Sequence, residues 1–203
     1  MGSDREPRQE RSRATRSRLL EAAVTCLAER GTTGATVGAV AKRAGVSRGA
    51  AQHHFPTRED LFLAALTHML DTRSAELEQS AASVPDGSGR TEAVVSVVTE
   101  AFSSVEFQAA LQLWAAAASD PTLRTHIVPM EERIGREIHR ATVELLGVDE
   151  SVPGARETVQ ATLDLARGLG LAHLLTDDTA RRRRIVQQWA RMLERELHHC
   201  RGA

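Results

Sequence analysis

A chain of 203 residues, 41% hydrophobic and 26% charged, has enough apolar material for one helical domain or for a small module joined to a larger body. No apolar run approaches the roughly 20 residues needed to span a bilayer, and the opening MGSDREPRQERSR is too charged for a secretory leader, so a cytoplasmic protein without a membrane anchor is expected. The net charge of -1 hides a division: residues 1–60 hold 11 Lys and Arg against 7 Asp and Glu, whereas residues 61–203 hold 15 against 20, so a basic head suited to a polyanion precedes an acidic body.

Residues 1–11 are almost devoid of apolar side chains and read as a flexible, Arg-rich tail. Arg5, Arg8, Arg11 and Arg13 allow an alternative reading, an arm that enters a DNA minor groove. From Thr15 onward Leu19, Leu20, Ala23, Val24, Leu27 and Ala28 recur at spacings of three and four, and Gly31 supplies a stop. This predicts a helix over about 12–30. Thr36 is placed to cap a second helix, which Gly45 ends after Ala44. Ser47 caps a third that stops at His53 or His54, because Phe55 precedes Pro56. Thr57 and Asp60 form a capping-box variant that opens a long fourth helix to about Ala82.

The stretch VPDGSG over residues 84–89 is a break. Beyond it, a helix is expected over about 91–102, and Ser103 with Glu106 reads as the cap of another to Ala118. Asp120 with Pro121 opens a short helix, and Pro129 starts the next, which Gly147 ends. Ser151 with Pro153 opens a helix to about Leu175, and Asp177 with Asp178 opens the last one, to about His199. Strand-like alternation is missing, so the expected fold class is all-α, with nine to ten helices.

Two short helices joined at a glycine, the second led by Ser47, have the proportions of a helix-turn-helix. In that motif the second helix enters the major groove with its first residues against base edges. Arg48 stands there, with a guanidinium able to fork onto O6 and N7 of a guanine. Gly49 and Ala50 let the backbone approach the duplex closely. Gln52 and His53 project one turn later as candidates for bases or phosphates, Thr36, Ser47 and Arg58 are candidates for phosphates, and Lys42, Arg43 and His54 are further candidate DNA contacts. Val37, Val40, Ala41, Ala44, Val46 and Phe55 read as the core that holds the two helices together.

The run from Thr36 to Gly49, TVGAVAKRAGVSRG, followed by His54-Phe55-Pro56-Thr57-Arg58-Glu59-Asp60-Leu61, strongly resembles the signature of the TetR family of transcriptional regulators. Leu19, Leu20, Ala22, Ala23, Ala28, Glu29 and Gly31 extend the resemblance, which covers residues 12–72. Where that family usually carries Leu and Tyr, this chain has Ala51 and Gln52, so the phosphate contact of the Tyr is not carried over. Gln is able to bond an adenine edge instead.

The resemblance implies a DNA-binding domain over residues 12–72 and a body over 73–203 that binds a small-molecule effector and forms a homodimer on operator DNA. For the effector, Phe102, Phe107, Leu111, Trp114 and Met130 are the apolar candidates, with Gln108, Gln112 and His126 as polar handles. For the dimer, the candidates are Ala161, Leu165, Gly168, Leu169 and Ala172 on one helix and Ile185, Trp189, Met192 and Leu193 on the last. The same residues suit core packing within one subunit. An alternative is a regulator with no small effector.

An enzyme is the remaining alternative, and nothing in the sequence favours it. The chain has no phosphate-cradling loop, nucleophile elbow or HExxH helix, and neither cofactor nor metal is expected. His198, His199 and Cys200 lack the spacing of a zinc site, and Cys26 and Cys200 suggest no disulfide framework.

Overall fold

Helical periodicity in the sequence becomes helical structure throughout. The structure, a computed structural model, describes residues 5–82, 84–85, 87, 89–176 and 178–201, with side chains for all of these except 5–8, 70–71, 73–82 and 198–201. Among the described residues there are nine helices and no strand: α1 (Arg5–Gly34), α2 (Val37–Ala44), α3 (Arg48–His54), α4 (Arg58–Ala82), α5 (Arg90–Ala101), α6 (Val105–Ser119), α7 (Pro121–Leu146), α8 (Ala155–His173) and α9 (Thr179–Arg201). The expected all-α class is the class found.

Two compact units form, one of Met1–Thr72 with Val105–Glu131, the other of Arg73–Ser104 with Glu132–Ala203. The segment expected over 12–72 therefore shares its unit with α6 and the first part of α7 instead of standing alone. One continuous core explains this. Leu19, Ala23 and Leu27 of α1, Val40 of α2, Ala51 of α3 and Leu61 and Ala65 of α4 are buried with Ala109 and Leu113 of α6 and Ile127 of α7. Full burial of a Leu or Phe side chain contributes about 1.5–3 kcal/mol, so the helices bearing these residues are held by shared apolar surface rather than by propensity.

Several boundaries differ from expectation, each for a physical reason. α1 begins at Arg5, not near residue 12, because its Arg, Gln and Glu are good helix formers that extend the turns nucleated by the buried Leu19 and Leu27. Gly31 does interrupt α1, with φ 64° and ψ -178°, and one further turn follows it. Pro129 lies inside α7 instead of starting a helix. The expected short helix after Asp120 and the next one are a single element. It is capped by the Asp120 carboxylate, which accepts from the N–H groups of Thr122 and Leu123. Pro129 forfeits one backbone bond, and α7 runs on because each side of it is long enough to hold its own turns.

In the second unit, α5 packs against both α8 and α9. Val94, Val95 and Val98 of α5, Val159, Leu163 and Ala166 of α8, and Val186, Ala190, Leu193 and Leu197 of α9 are among its buried apolar residues. Trp189 donates its indole N–H to the Thr162 hydroxyl at 3.0 Å, and Thr162 in turn donates to the Thr158 carbonyl, so a part-buried polar pair joins α9 to α8 without an orphan donor. Ser103 does not serve as the expected cap: its hydroxyl donates to the Thr99 carbonyl and accepts from Arg182. Gly154, not Ser151, stands at the cap position of α8 and offers no side-chain bond there. Asp177, expected to help open the last helix, lies outside the described residues, as do the side chains of Arg5, Arg8, His198, His199 and Cys200.

Gly170 is packed directly against the backbone at the end of α5. A methyl group there would lie 2.0 Å from the carbonyl oxygen of Phe102 and 3.1 Å from its Cβ. The obstacle is backbone, which does not rotate away. Gly170→Ala is therefore expected to push α8 off the end of α5 and to cost on the order of 2 kcal/mol, despite Ala's better helix propensity. Denaturant unfolding of the purified variant measures this, and an unchanged or raised midpoint would refute the steric account.

Candidate nucleic-acid interface

The turn between α2 and α3 is built from local chemistry. The Thr36 hydroxyl accepts from Ala39 N–H at 3.2 Å and the Ser47 hydroxyl from Ala50 N–H at 3.1 Å, so each short helix has one otherwise free donor satisfied. Gly45 takes the left-handed conformation, φ 66° and ψ 34°, and the following Val46 N–H reaches the Ala41 carbonyl at 3.0 Å. A side chain at Gly45 would meet no neighbour, so glycine is required by backbone conformation alone. At its far end α3 stops as expected: Phe55, with φ -138°, donates its N–H to the Ala51 carbonyl and leads into Pro56.

α3 has an inner and an outer side. Ala51 and Phe55 are 1% and 3% exposed and anchor it in the core. Arg48, Gly49, Gln52 and His53 are exposed, and Ala50 and His54 are half-buried. The spacing follows the helix, since 48 and 52, like 49 and 53, are one turn apart. Arg48 has no hydrogen bond or ion pair with another described residue, which leaves all its donors available. The expected core residues Val40, Ala41 and Phe55 are buried, and Val37, Ala44 and Val46 pack partly buried against them.

The cations around α3 divide into committed and uncommitted groups. Lys42 is exposed. Arg43 forks onto the Glu29 carboxylate at 2.6 and 2.8 Å, tying α2 to α1. That bond, ahead of desolvation, sets the balance that holds the Glu29 carboxyl below its ordinary range. Arg58 donates to the Thr32 carbonyl at 3.2 Å, lies 3.5 Å from Glu59 and stacks over the Phe62 ring at 5.5 Å. Thr57 and Asp60 complete the reciprocal cap of α4, with Asp60 N–H donating to the Thr57 hydroxyl and Thr57 N–H to the Asp60 carboxylate. Arg16 of α1 stands over the Phe55 ring at 5.5 Å. Arg16 was not singled out from the sequence, and Glu29 entered only through the family resemblance, with no partner assigned to it. Arg16 lies one turn before Leu20 and two before Ala23 on α1, a register that could have shown it.

The effector candidates are divided between the two units. Phe102 belongs to the second unit, where the Arg167 guanidinium lies over its ring at 5.4 Å. Phe107, Gln108, Leu111, Gln112, Trp114, His126 and Met130 belong to the first. Phe107 is buried and meets Trp114 edge to face, 5.9 Å between centroids, and Trp114 and Met130 pack partly buried against the core. Gln112 is exposed with its amide oxygen at Gly31, and His126 is exposed on α7. Of the dimer candidates, Leu169 and Leu193 are 5% and 2% exposed and serve the core of their own subunit. Ala161, Gly168 and Met192 are exposed; Leu165, Ala172, Ile185 and Trp189 are half-buried.

These elements define a helix-turn-helix protein, with a short second helix whose polar side faces outward and whose apolar side is anchored. The family described as "Bacterial regulatory proteins, tetR family" matches residues 19–65, which span α1 from Leu19 through the first turns of α4. Over 191 residues the chain is 31% identical to the HTH-type transcriptional regulator CymR of Pseudomonas putida, covering 91% of this chain and 92% of that one. The fold also matches solved structures. A transcriptional regulator of Rhodococcus sp. Rha1 superimposes with a TM-score of 0.64 at 24% identity, covering 90% of this chain and 95% of that one. FadR of Bacillus subtilis, solved in complex with stearoyl-CoA, gives a TM-score of 0.60 at 18% identity, covering 87% and 96%. The chain belongs to the TetR family of DNA-binding transcriptional regulators.

Proposed function

We propose that this regulator is a cytoplasmic homodimeric repressor that reads its operator through α3 and leaves it when a small apolar effector binds. The observation that carries the DNA-reading part is the two-sidedness of α3, with Ala51 and Phe55 locked inward and Arg48, Gly49, Gln52 and His53 turned out. Arg48 reads a guanine edge, Gln52 an adenine edge, and Lys42, Ser47, Thr36 and Arg58 meet phosphates that set the register. Arg43 acts by fixing α2 to α1 through Glu29.

Effector release is supported by the ligand in FadR's structure and by the makeup of the first core. α6 and the start of α7 are packed into the same close-packed interior that carries α1, α2 and α3. A ligand that shifts α6 therefore repacks the seat of the recognition helix, because such interiors move between discrete arrangements rather than yielding continuously. Binding then favours a state whose two recognition helices no longer match half-sites roughly 34–36 Å apart.

Selecting bound duplexes from a random pool, then screening metabolites for release of the selected fragment, tests both parts. Recovery of no enriched sequence would refute operator reading, and an enriched sequence released by no compound would favour a regulator without an effector. Arg58→Ala should weaken binding to operator and random duplex alike and reduce the steepness of log K against log salt by about two units, one for each subunit of the dimer. An unchanged slope would assign Arg58 to the Thr32 carbonyl alone.

A further inference from the structure

At the far end of α3, beyond the residues placed for base reading, three side chains converge. The His53 and His54 rings meet edge to face with centroids 5.7 Å apart, the His54 ring lies 6.3 Å from that of Phe55, and the Arg16 guanidinium lies 5.5 Å from the same Phe55 ring. Phe55 is fixed in the core, so it holds these groups at one edge of the recognition helix. His53 and Arg16 are exposed. Among the described residues, no carboxylate is paired with any of the three. α2, packed on α3, contributes Lys42 and Arg43 and no acid. At the start of α4, Asp60 is bonded to Thr57, and Glu59 lies beside Arg58.

We propose that His53, His54 and Arg16 form a proton-coupled phosphate clamp, so that DNA binding draws protons onto the two histidines and strengthens as pH falls. The proposal rests on α3 lying in the major groove. There the patch borders the sugar-phosphate backbone, a dense line of negative charge that Arg16 meets with a permanent cation and the histidines with a conditional one. In the free protein, partial burial first, then His53 and Arg16, hold His54 below its ordinary value. Burial and these neighbours thus weigh against the His54 proton while no phosphate is present. A phosphate among them reverses that balance and raises the histidine pKa in the complex. The sign follows by linkage: the complex binds more protons than the free protein, so affinity is greatest at low pH and is lost as pH rises through the pKa of the complex. Because phosphates carry no sequence, the effect is the same on any duplex.

The experiment measures the dissociation constant by fluorescence anisotropy at pH 6.0 and 8.0, at fixed ionic strength, for the selected operator and for a random duplex. Wild type should bind both at least about tenfold more tightly at pH 6.0, tenfold being the worth of one unit of pKa displacement at a single histidine. Replacing the exposed imidazole, His53→Gln, should reduce that ratio on both duplexes, and His53→Gln with His54→Gln should abolish it. Equal affinity of wild type at the two pH values, or a ratio unchanged in either variant, would overturn the clamp. Failure of wild type to prefer any sequence at either pH would instead overturn the major-groove reading on which it rests.

Discussion

Arg48→Ala should lose operator binding while keeping most of its affinity for random DNA. A bidentate guanidinium–guanine contact discriminates by about 1–3 kcal/mol, and a two-fold dimer makes it twice, so the specific complex is expected to weaken by about 2–6 kcal/mol. The fold should not change, because Arg48 is exposed at the first position of α3 and the helix is anchored by Ala51, Phe55 and the Ser47 cap. Base reading is proposed for Arg48, rather than for Arg43 or Arg58, because it is unspent. Arg43 is forked onto Glu29, and Arg58 is bonded to the Thr32 carbonyl. A bonded guanidinium must break its existing contact before reading a base; a free one has no such cost. Titrating the variant against the operator and against a duplex changed at one guanine per half-site provides the check. Equal losses on operator and random DNA would reduce Arg48 to a phosphate contact.

How much of this was legible in the sequence depends on the range of the interaction concerned. The caps of α2 and α3 and the turn between them were readable because Thr36, Gly45, Ser47 and the Phe55-Pro56 step act within four residues, and they stand where the sequence placed them. Pro129 misled because the rule that prolines open helices is also local, whereas the persistence of α7 around it depends on turns on both sides. The commitment of Arg43 was invisible for the opposite reason: its partner is 14 residues away on another helix, and the sequence shows only two charges. The expected interface stripe was half legible. An amphipathic period shows which residues share a face but not which of two neighbours covers it, so Leu169 and Leu193 were grouped with Met192 although they are interior and it is not.

That distinction makes the proposed dimer testable. Leu165, half-buried on α8, and Met192, 45% exposed on α9, sit on the surface of the second unit in a single chain, so the unit's own core does not depend on either being fully apolar. Leu165→Glu with Met192→Glu should leave the isolated subunit folded. In an isologous interface each substitution appears twice, so association would bury four carboxylates without partners, at an effective cost of several kcal/mol for each ion. The variant is expected to be monomeric by light scattering, with helical content unchanged. Its operator affinity should fall by at least about 100-fold, since the two half-sites are then bound as separate events instead of one tethered pair. Leu193→Glu is the contrasting change: at 2% exposure it charges the interior and should unfold the second unit rather than split a dimer. A double variant that stays dimeric with full operator affinity would place the interface elsewhere, and a wild type that is monomeric both free and on DNA would remove the two-fold argument altogether.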